Sequence, residues 1–216
     1  MLEYIRDIDL TKWIGVQENN IAQYKGVAGV WILLGRDKGD TRLVCLQAGQ
    51  TITGVGDEIK KDISYLVDEN FEPMSIDEKF NSAGKKYVNQ FGESMFPYDK
   101  HMNRRKMLYR DIAKKYEDLT FVCIAHGNEL KNQAGLLKTI EKYAAFKTLC
   151  RYWVNGRPYS KKRSPEEIEQ IKKECTDACV GLFKTIKDNY PEKADSLNEF
   201  LDKFINGDID DLIPGK

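Results

Sequence analysis

Two short apolar runs separated by a polar break stand near the start of the chain. Residues 27–34 (VAGVWILL) are apolar and partly β-branched, and residues 43–46 (LVCL) repeat that character. Runs of this length and composition are typical of buried strands. The residues at 36–40 include one glycine and two aspartates, which favour a turn. The pattern therefore predicts two strands joined by a turn, most simply as an antiparallel hairpin.

An amphipathic helix is predicted after the second strand. The segment TGVGDE, residues 53–58, supplies glycines for a tight bend and two acidic residues suited to a helix first turn. Apolar residues then recur at helical spacing, at Ile59, Ile63 and Leu66, and leave Lys60, Lys61 and Tyr65 on other faces. Binding and catalytic residues are often built at such a bend between strand and helix. A hairpin packed on a helix without any chemistry fits the same pattern.

The middle of the chain predicts a third strand and two helices. Residues 119–125 (LTFVCIA) form the strand pattern, and residues 134–149 form a helix pattern with Leu136, Leu137, Ile140 and Ala144 toward the core. Glu141 falls at the edge of that apolar stripe.

The stretch from His101 to Asp118 is typical of a basic helix. Residues 68–100 carry many turn formers and aromatics and predict a partly looped insertion, a lid or contact surface rather than a spacer.

The C-terminal part of the chain has clear helix start signals. Ser164, followed by Pro165 and then by Glu167 three places on, is the pattern of an N-cap with a capping box, so a long helix is predicted from there to about Asn189. A last helix is predicted at about 191–205, before an acidic tail. We therefore predict an α+β fold with two parts: a sheet domain over residues 1–160, with the insertion at 68–100, and a helical C-terminal lobe over residues 161–216.

Composition is that of an ordinary globular chain of 216 residues, with 41% hydrophobic and 31% charged residues. The 34 basic and 34 acidic residues cancel, so any nucleic-acid binding must come from a local patch. No signal-peptide pattern and no apolar run of membrane length is present in the sequence, and we expect a cytoplasmic protein without a membrane partner. The five cysteines are scattered along the sequence, which favours reduced thiols. Cys45 and Cys123 are predicted core residues. Cys175 and Cys179 would share one helix face, but no second pair of Cys or His stands near them to complete a zinc site.

The order of these elements resembles the GIY-YIG nuclease family over about residues 26–160. The residues that carry the resemblance are Gly29-Val30-Trp31 on the first strand, Gln47-Ala48-Gly49 at the end of the second, Glu141 on the later helix and Asn155 fourteen positions beyond. The resemblance implies a small three-stranded antiparallel sheet flanked by helices, with the two tripeptides side by side on neighbouring strands. It also implies metal-dependent hydrolysis of DNA phosphodiesters.

The resemblance assigns roles to individual residues. Glu141 would hold Mg²⁺ (or Mn²⁺), which suits a carboxylate and keeps most of its waters. Asn155 would brace the site through hydrogen bonds, and Gly49 would let the backbone pass close beneath it. The first-helix arginine of the family has no arginine counterpart here; Lys60 or Lys61 would supply that charge without the bidentate fork.

Two positions depart from the family pattern. The two family tyrosines are Trp31 and Gln47 in this chain. An indole N–H cannot accept a proton, and an amide does not titrate. Trp31 is also a natural core aromatic on a strand. His126, directly after the third strand, is the candidate for a substitute base.

A basic and aromatic stretch from residue 151 to residue 163 predicts contact with DNA. Guanidinium and ammonium groups neutralise phosphates, and aromatic rings can stack on bases. The candidate nucleic-acid-binding residues are Arg151, Arg157, Lys161, Lys162 and Arg163, extended by Arg104 and Arg105. A charged loop with inward-packed aromatics is the alternative.

The leading hypothesis from sequence is a GIY-YIG-like, divalent-metal-dependent DNA endonuclease. The alternative is a catalytically inactive nucleic-acid-binding or protein-interaction module on the same fold. Trp31 and Gln47 favour the alternative, and the zero net charge keeps protein interaction open.

Overall fold

The computed structural model describes residues 24–67, 109, 112–152 and 164–207, together with the backbone at 87–88 and 94–95. Most of the predicted insertion at 68–100 lies outside the described residues. So do Asn155, the rest of the 153–163 stretch and most of the predicted helix at 101–118, of which Tyr109 and residues 112–115 are described and helical.

A three-stranded antiparallel sheet forms the centre of the fold. Strand β1 (Gly29–Asp37) pairs on one side with β2 (Leu43–Thr51) and on the other with β5 (Tyr116–His126), so the order is β2-β1-β5. The short strands β3 (Tyr87–Val88) and β4 (Ser94–Met95) pair with each other. The predicted α+β class with a three-stranded antiparallel sheet is confirmed.

The third strand of the sheet, β5, begins earlier than its local sequence predicts. Tyr116, which falls on the predicted basic helix, is the first residue of β5 and pairs with Asp37, and Glu117 pairs with Arg36. Asp118 has a positive φ of 52°, next to a shift in the register with β1. The three residues from Tyr116 to Asp118 are therefore drawn into the sheet by pairing with the end of β1, which outweighs their helical spacing.

The helices follow their sequence signals closely. They are α1 (Val55–Val67), α2 (Ala134–Lys147), α3 (Pro165–Asn189) and α4 (Pro191–Asn206), with a short 3-10 helix at Asn128–Asn132. Helix α3 begins with the predicted capping box: the Glu167 N–H donates to Oγ of Ser164 at 3.2 Å, and the Ser164 N–H donates to Oε2 of Glu167 at 2.8 Å. Within the described residues, no helix combines the length and the hydropathy needed to cross a bilayer.

The sheet separates two hydrophobic cores. Because side chains alternate along a strand, Trp31 and Leu33 of β1 point to one face, whereas Val30 and Ile32 point to the other. Helix α1 covers the first face, here named the α1 face, through Ile59, Ile63 and Leu66. Helices α2 and α4 cover the second, the α2 face, and α3 packs on both of these helices. The C-terminal helices thus share a core with the sheet.

One position outside the predicted apolar stripe of α1 is buried. Tyr65 is 8% exposed and lies with its ring centroid 6.5 Å from that of Tyr109. Tyr65 lies outside the predicted apolar stripe, and it is buried because Tyr109 packs beside it. Lys60 and Lys61, which the helical spacing also leaves outside the apolar stripe, are exposed.

Replacing Ser164 by alanine removes one half of the capping box and leaves the Glu167 N–H without its side-chain acceptor. We expect a loss of about 1 kcal/mol in the free energy of unfolding, measured by urea denaturation. Ser164→Asp, which keeps a side-chain acceptor, should retain most of the stability. Equal losses in both variants would contradict a role of the cap.

Candidate functional site

The two motif tripeptides lie side by side on β1 and β2. Gly29 is opposite Thr51, Trp31 is opposite Gly49, and Leu33 is opposite Gln47. This is the end of the sheet where β1 begins, β2 ends and α1 starts. It is the place where the resemblance puts a catalytic site, and we name it the motif end.

Trp31 fills the core at the motif end. Its side chain is 2% exposed, and its ring meets that of Phe121 edge-on, with ring centroids 5.5 Å apart. The indole also lies directly over Gly49: a Cβ there would be 2.4 Å from Cζ2 of Trp31. Glycine at position 49 is therefore explained by the packing of this ring.

The glycine of the other tripeptide also has a packing reason. A Cβ on Gly29 would lie 2.4 Å from the carbonyl oxygen of Ala125 and 2.8 Å from Cγ2 of Val55. Gly29 thus lets β5 and the start of α1 approach β1 together. Both motif glycines are required by close packing around β1, whether or not a substrate binds there.

Gln47 is a buried amide. The residue is 6% exposed, and among the described residues no hydrogen-bond partner reaches its Oε1. Since cross-strand partners share a face, Gln47 points to the α1 face with Leu33. A carbonyl oxygen left unsatisfied in the core costs about 1 to 3 kcal/mol. Gln47 is therefore a polar group that the core tolerates at a cost.

Glu141 lies on the other side of the sheet. It is 5% exposed on α2, whose apolar residues pack on the α2 face. Burial raises the pKa of the Cys150 thiol well above its ordinary value, the adjacent Cys45 thiol adds to the rise, and the charge of Glu141 contributes as well. Glu141 is therefore near Cys150, beside the edge of β2.

The structure does not bring Glu141 together with the lysines of α1. Lys60 and Lys61 extend into solvent from the outer side of a helix on the α1 face, and the sheet separates them from α2. The grouping of Glu141, Gly49 and Lys60 or Lys61 around one phosphate, which the sequence predicted, is not formed by these side chains. The apolar stripe of each helix packs on the sheet, but the two helices cover opposite faces.

The surroundings of Glu141 do not fit a hydrated magnesium ion. Its neighbours one turn away on α2, Leu137 and Ala145, are buried and apolar. Among the described residues no group of three or more His, Cys, Asp or Glu side chains is placed to hold a metal. Mg²⁺ keeps several waters and needs room for them.

His126, the candidate base, ends β5 at the motif end. It is half-buried, pairs with Gly29 across the strands and meets the ring of Tyr24 edge-on at 5.2 Å.

Arg151 has an internal role. Its Nη1 donates to both carboxylate oxygens of Asp37, at 3.0 and 2.8 Å, and to the hydroxyl of Tyr116 at 3.0 Å. Burial alone would lower the pKa of Arg151, but the hydrogen bonds to Tyr116 and Asp37 raise it above the ordinary value. These contacts fix the chain against β1 and β5, and contact of Arg151 with nucleic acid stays a prediction.

The other predicted nucleic-acid contacts lie outside the described residues: Arg104, Arg105, Arg157, Lys161, Lys162 and Arg163.

A buried carboxylate on α1 was not predicted from the sequence. Asp62 is 0% exposed and accepts a hydrogen bond of 2.7 Å from the hydroxyl of Tyr109. The available signal was its place inside the apolar stripe, between Ile59 and Ile63. The contact links α1 to a residue 47 positions later and closes the α1 face.

Comparison with known proteins gave no match: no family model, no curated protein and no solved structure is significantly similar to this chain.

Adding a methyl group at Gly49 should disturb the ring of Trp31. We expect Gly49→Ala to lower the free energy of unfolding by about 1 to 3 kcal/mol, because the new Cβ overlaps the indole. Chemical denaturation monitored by tryptophan fluorescence measures the loss.

Gly135→Ala is the matched control, since a Cβ there meets nothing within 4 Å, and it should be neutral or slightly stabilising. The cost of Gly49→Ala should also shrink in a Trp31→Leu background. An equal cost in both backgrounds would show that the ring is not the cause.

Proposed function

We propose that this chain is a nucleic-acid-binding module built on a GIY-YIG-like sheet, and that it does not hydrolyse phosphodiesters. The observation that carries the proposal is the burial of Trp31 between Gly49 and Phe121, with the Gln47 amide buried on the same face. Trp31 and Gln47 occupy the two positions at which the GIY-YIG family has tyrosines.

The chemistry at these positions argues against catalysis. A general base must accept a proton and must lie within hydrogen-bond reach of the attacking water. The indole N–H only donates, and the amide of glutamine does not change its charge. With Trp31 at 2% and Gln47 at 6% exposure, solvent hardly touches either side chain.

The placement of the charged residues argues in the same direction. Phosphoryl transfer depends on positioning several groups around one phosphate. Glu141 lies on the α2 face, whereas Lys60 and Lys61 are exposed on the helix that covers the α1 face. Groups on opposite faces of a sheet are poorly placed to bind one phosphate together.

The nucleic-acid part of the proposal rests on the stretch that follows Tyr152. Residues 153–163 contain four basic and no acidic residues, with aromatics interspersed, in a chain of zero net charge. The stretch begins from a fixed point: the Arg151 N–H donates to the Cys45 carbonyl at 3.0 Å and the Tyr152 N–H to the Leu46 carbonyl at 2.9 Å. These two hydrogen bonds fix the residues that precede the basic stretch against the edge of β2.

Plasmid nicking tests the absence of catalysis. We expect the native chain and Glu141→Ala, each with Mg²⁺ or Mn²⁺, to convert supercoiled DNA no faster than buffer does. The two family tyrosine positions hold a buried indole and a buried amide, and no group of three or more metal-ligating side chains is placed together among the described residues. A chelator-treated sample controls for contaminating nuclease. Metal-dependent cleavage by the native chain that Glu141→Ala abolishes without unfolding would overturn the proposal and restore the endonuclease hypothesis.

Salt-dependent DNA retention tests the binding. Replacing Arg157, Lys161 and Lys162 by alanine should weaken the binding of a labelled duplex, because three positive charges that neutralise phosphates are removed. The negative slope of log K against log salt should become shallower by about 0.9 for each phosphate that the variant no longer neutralises.

Replacing Lys138, Lys173 and Lys184, three exposed lysines of α2 and α3, removes the same charge and should change the binding little. Equal weakening by the two triple variants would reject the stretch as the contact. Absence of retention by the native chain at low salt would reject nucleic-acid binding itself.

A further inference from the structure

The turn of the β1–β2 hairpin meets the beginning of β5 at the end of the sheet opposite the motif end. The Lys38 N–H donates to the carbonyl of Lys115 at 3.3 Å, and the Gly39 N–H donates to Oε1 of Glu117 at 3.4 Å. We name this region the hairpin end and define it as residues 36–42, residues 114–118 and Arg151. Lys38, Arg42 and Lys114 are exposed there.

The acidic residues of the hairpin end are engaged in internal contacts. Arg151 binds Asp37, and Nε of Arg36 binds Oδ2 of Asp118 at 3.1 Å. The Arg42 N–H donates to Asp40 at 3.0 Å, and backbone hydrogen bonds from Arg42 and Thr41 lower the pKa of that carboxyl. Glu117 accepts the bond from Gly39 described above.

The remaining charge at the hairpin end is positive. Its described residues include six basic side chains, Arg36, Lys38, Arg42, Lys114, Lys115 and Arg151, against four acidic ones. Arg36 and Arg151 neutralise two of those acids directly. In a chain of zero net charge, this end of the sheet therefore carries a local excess of exposed cations.

Described residues next to the two basic stretches in sequence lie in or beside the hairpin end. Residues 101–106 precede the helical turn at 112–115, and residues 153–163 follow Tyr152. The hydroxyl groups of Tyr116 and Tyr152 are 3.4 Å apart, and Arg151 bonds to the first of them. These contacts hold Tyr152 and Arg151 against the beginning of β5.

The hairpin end is distant from the motif end. Trp31 and Asp37 lie six residues apart on β1, which corresponds to about 20 Å at the usual rise of a strand. A ligand on Lys38 and Arg42 would therefore lie far from Trp31, Gln47 and His126.

We infer that the hairpin end is a phosphate-contact surface for duplex nucleic acid, with Lys38, Arg42 and Lys114 lying against the phosphate backbone. The inference rests on the proposed nucleic-acid binding and adds the described surface that performs it. Lysine and arginine contacts to phosphates position a protein on a duplex without reading its sequence. Binding should accordingly be strongly salt-dependent and nearly independent of base sequence.

The test is fluorescence anisotropy of a labelled DNA duplex with the full chain, titrated over a series of salt concentrations. The triple variant Lys38→Ala/Arg42→Ala/Lys114→Ala should make the negative slope of log K against log salt shallower by about 2 to 3. It should also weaken binding more than tenfold at about 0.1 M salt. The control is the triple variant of Lys138, Lys173 and Lys184, which should bind as the native chain does. Circular dichroism confirms that each variant is folded.

The outcomes separate the inference from the proposed function. If the native chain binds and the Arg157, Lys161 and Lys162 variant binds weakly while the hairpin-end variant binds normally, the hairpin end is not the surface and the proposed function stands. If the hairpin-end variant and the Lys138, Lys173 and Lys184 control weaken equally, the surface is non-specific and the inference fails. If the native chain does not bind, both fail.

Discussion

The fold depends on one strand, β1, which is hydrogen-bonded on both sides and buried on both faces. Its residues from Gly29 to Gly35 are all buried. Because side chains alternate along a strand, burial on both faces requires a separate layer of helices on each face. Helix α1 provides one layer, and α2 with the C-terminal helices provides the other. Trp31 is the largest side chain that β1 contributes to the α1 face, and Gly49 leaves the room it needs.

This two-sided burial explains why the expected constellation is not assembled. A catalytic group on α1 and one on α2 could meet only at an edge of the sheet or beyond its end. Lys60 and Lys61 point away from the sheet, and Glu141 is buried against it. Trp31 and Gln47 occupy the family's tyrosine positions on the α1 face. Trp31 fills space in the core and Gln47 places an amide there, and neither side chain titrates. Each residue is accommodated as a part of the core.

Local signals in the sequence were sufficient for most of the secondary structure. The hairpin, α1, α2 and the capping box of α3 all follow from apolar spacing, glycines and capping residues close to the elements they specify. The misplaced positions depend on partners distant in sequence. Tyr116 joins β5 because Asp37 pairs with it, and Tyr65 and Asp62 are buried because Tyr109 packs beside them. Helical periodicity indicates that a helix has a buried face, but not which face of the sheet it covers.

The two ends of the sheet place different demands on their side chains. A hydrolytic site at the motif end would need proton acceptors, a metal ligand and a phosphate ligand held close to one point, so replacement of single groups removes the function. A phosphate-binding surface at the hairpin end needs only exposed positive charge, since each contact contributes separately and long-range attraction does not require exact positions. Changes at sites more than about 10 Å apart usually act independently. A core filled by Trp31 is therefore compatible with a binding surface around Lys38 and Arg42, because neither depends on the geometry of the other.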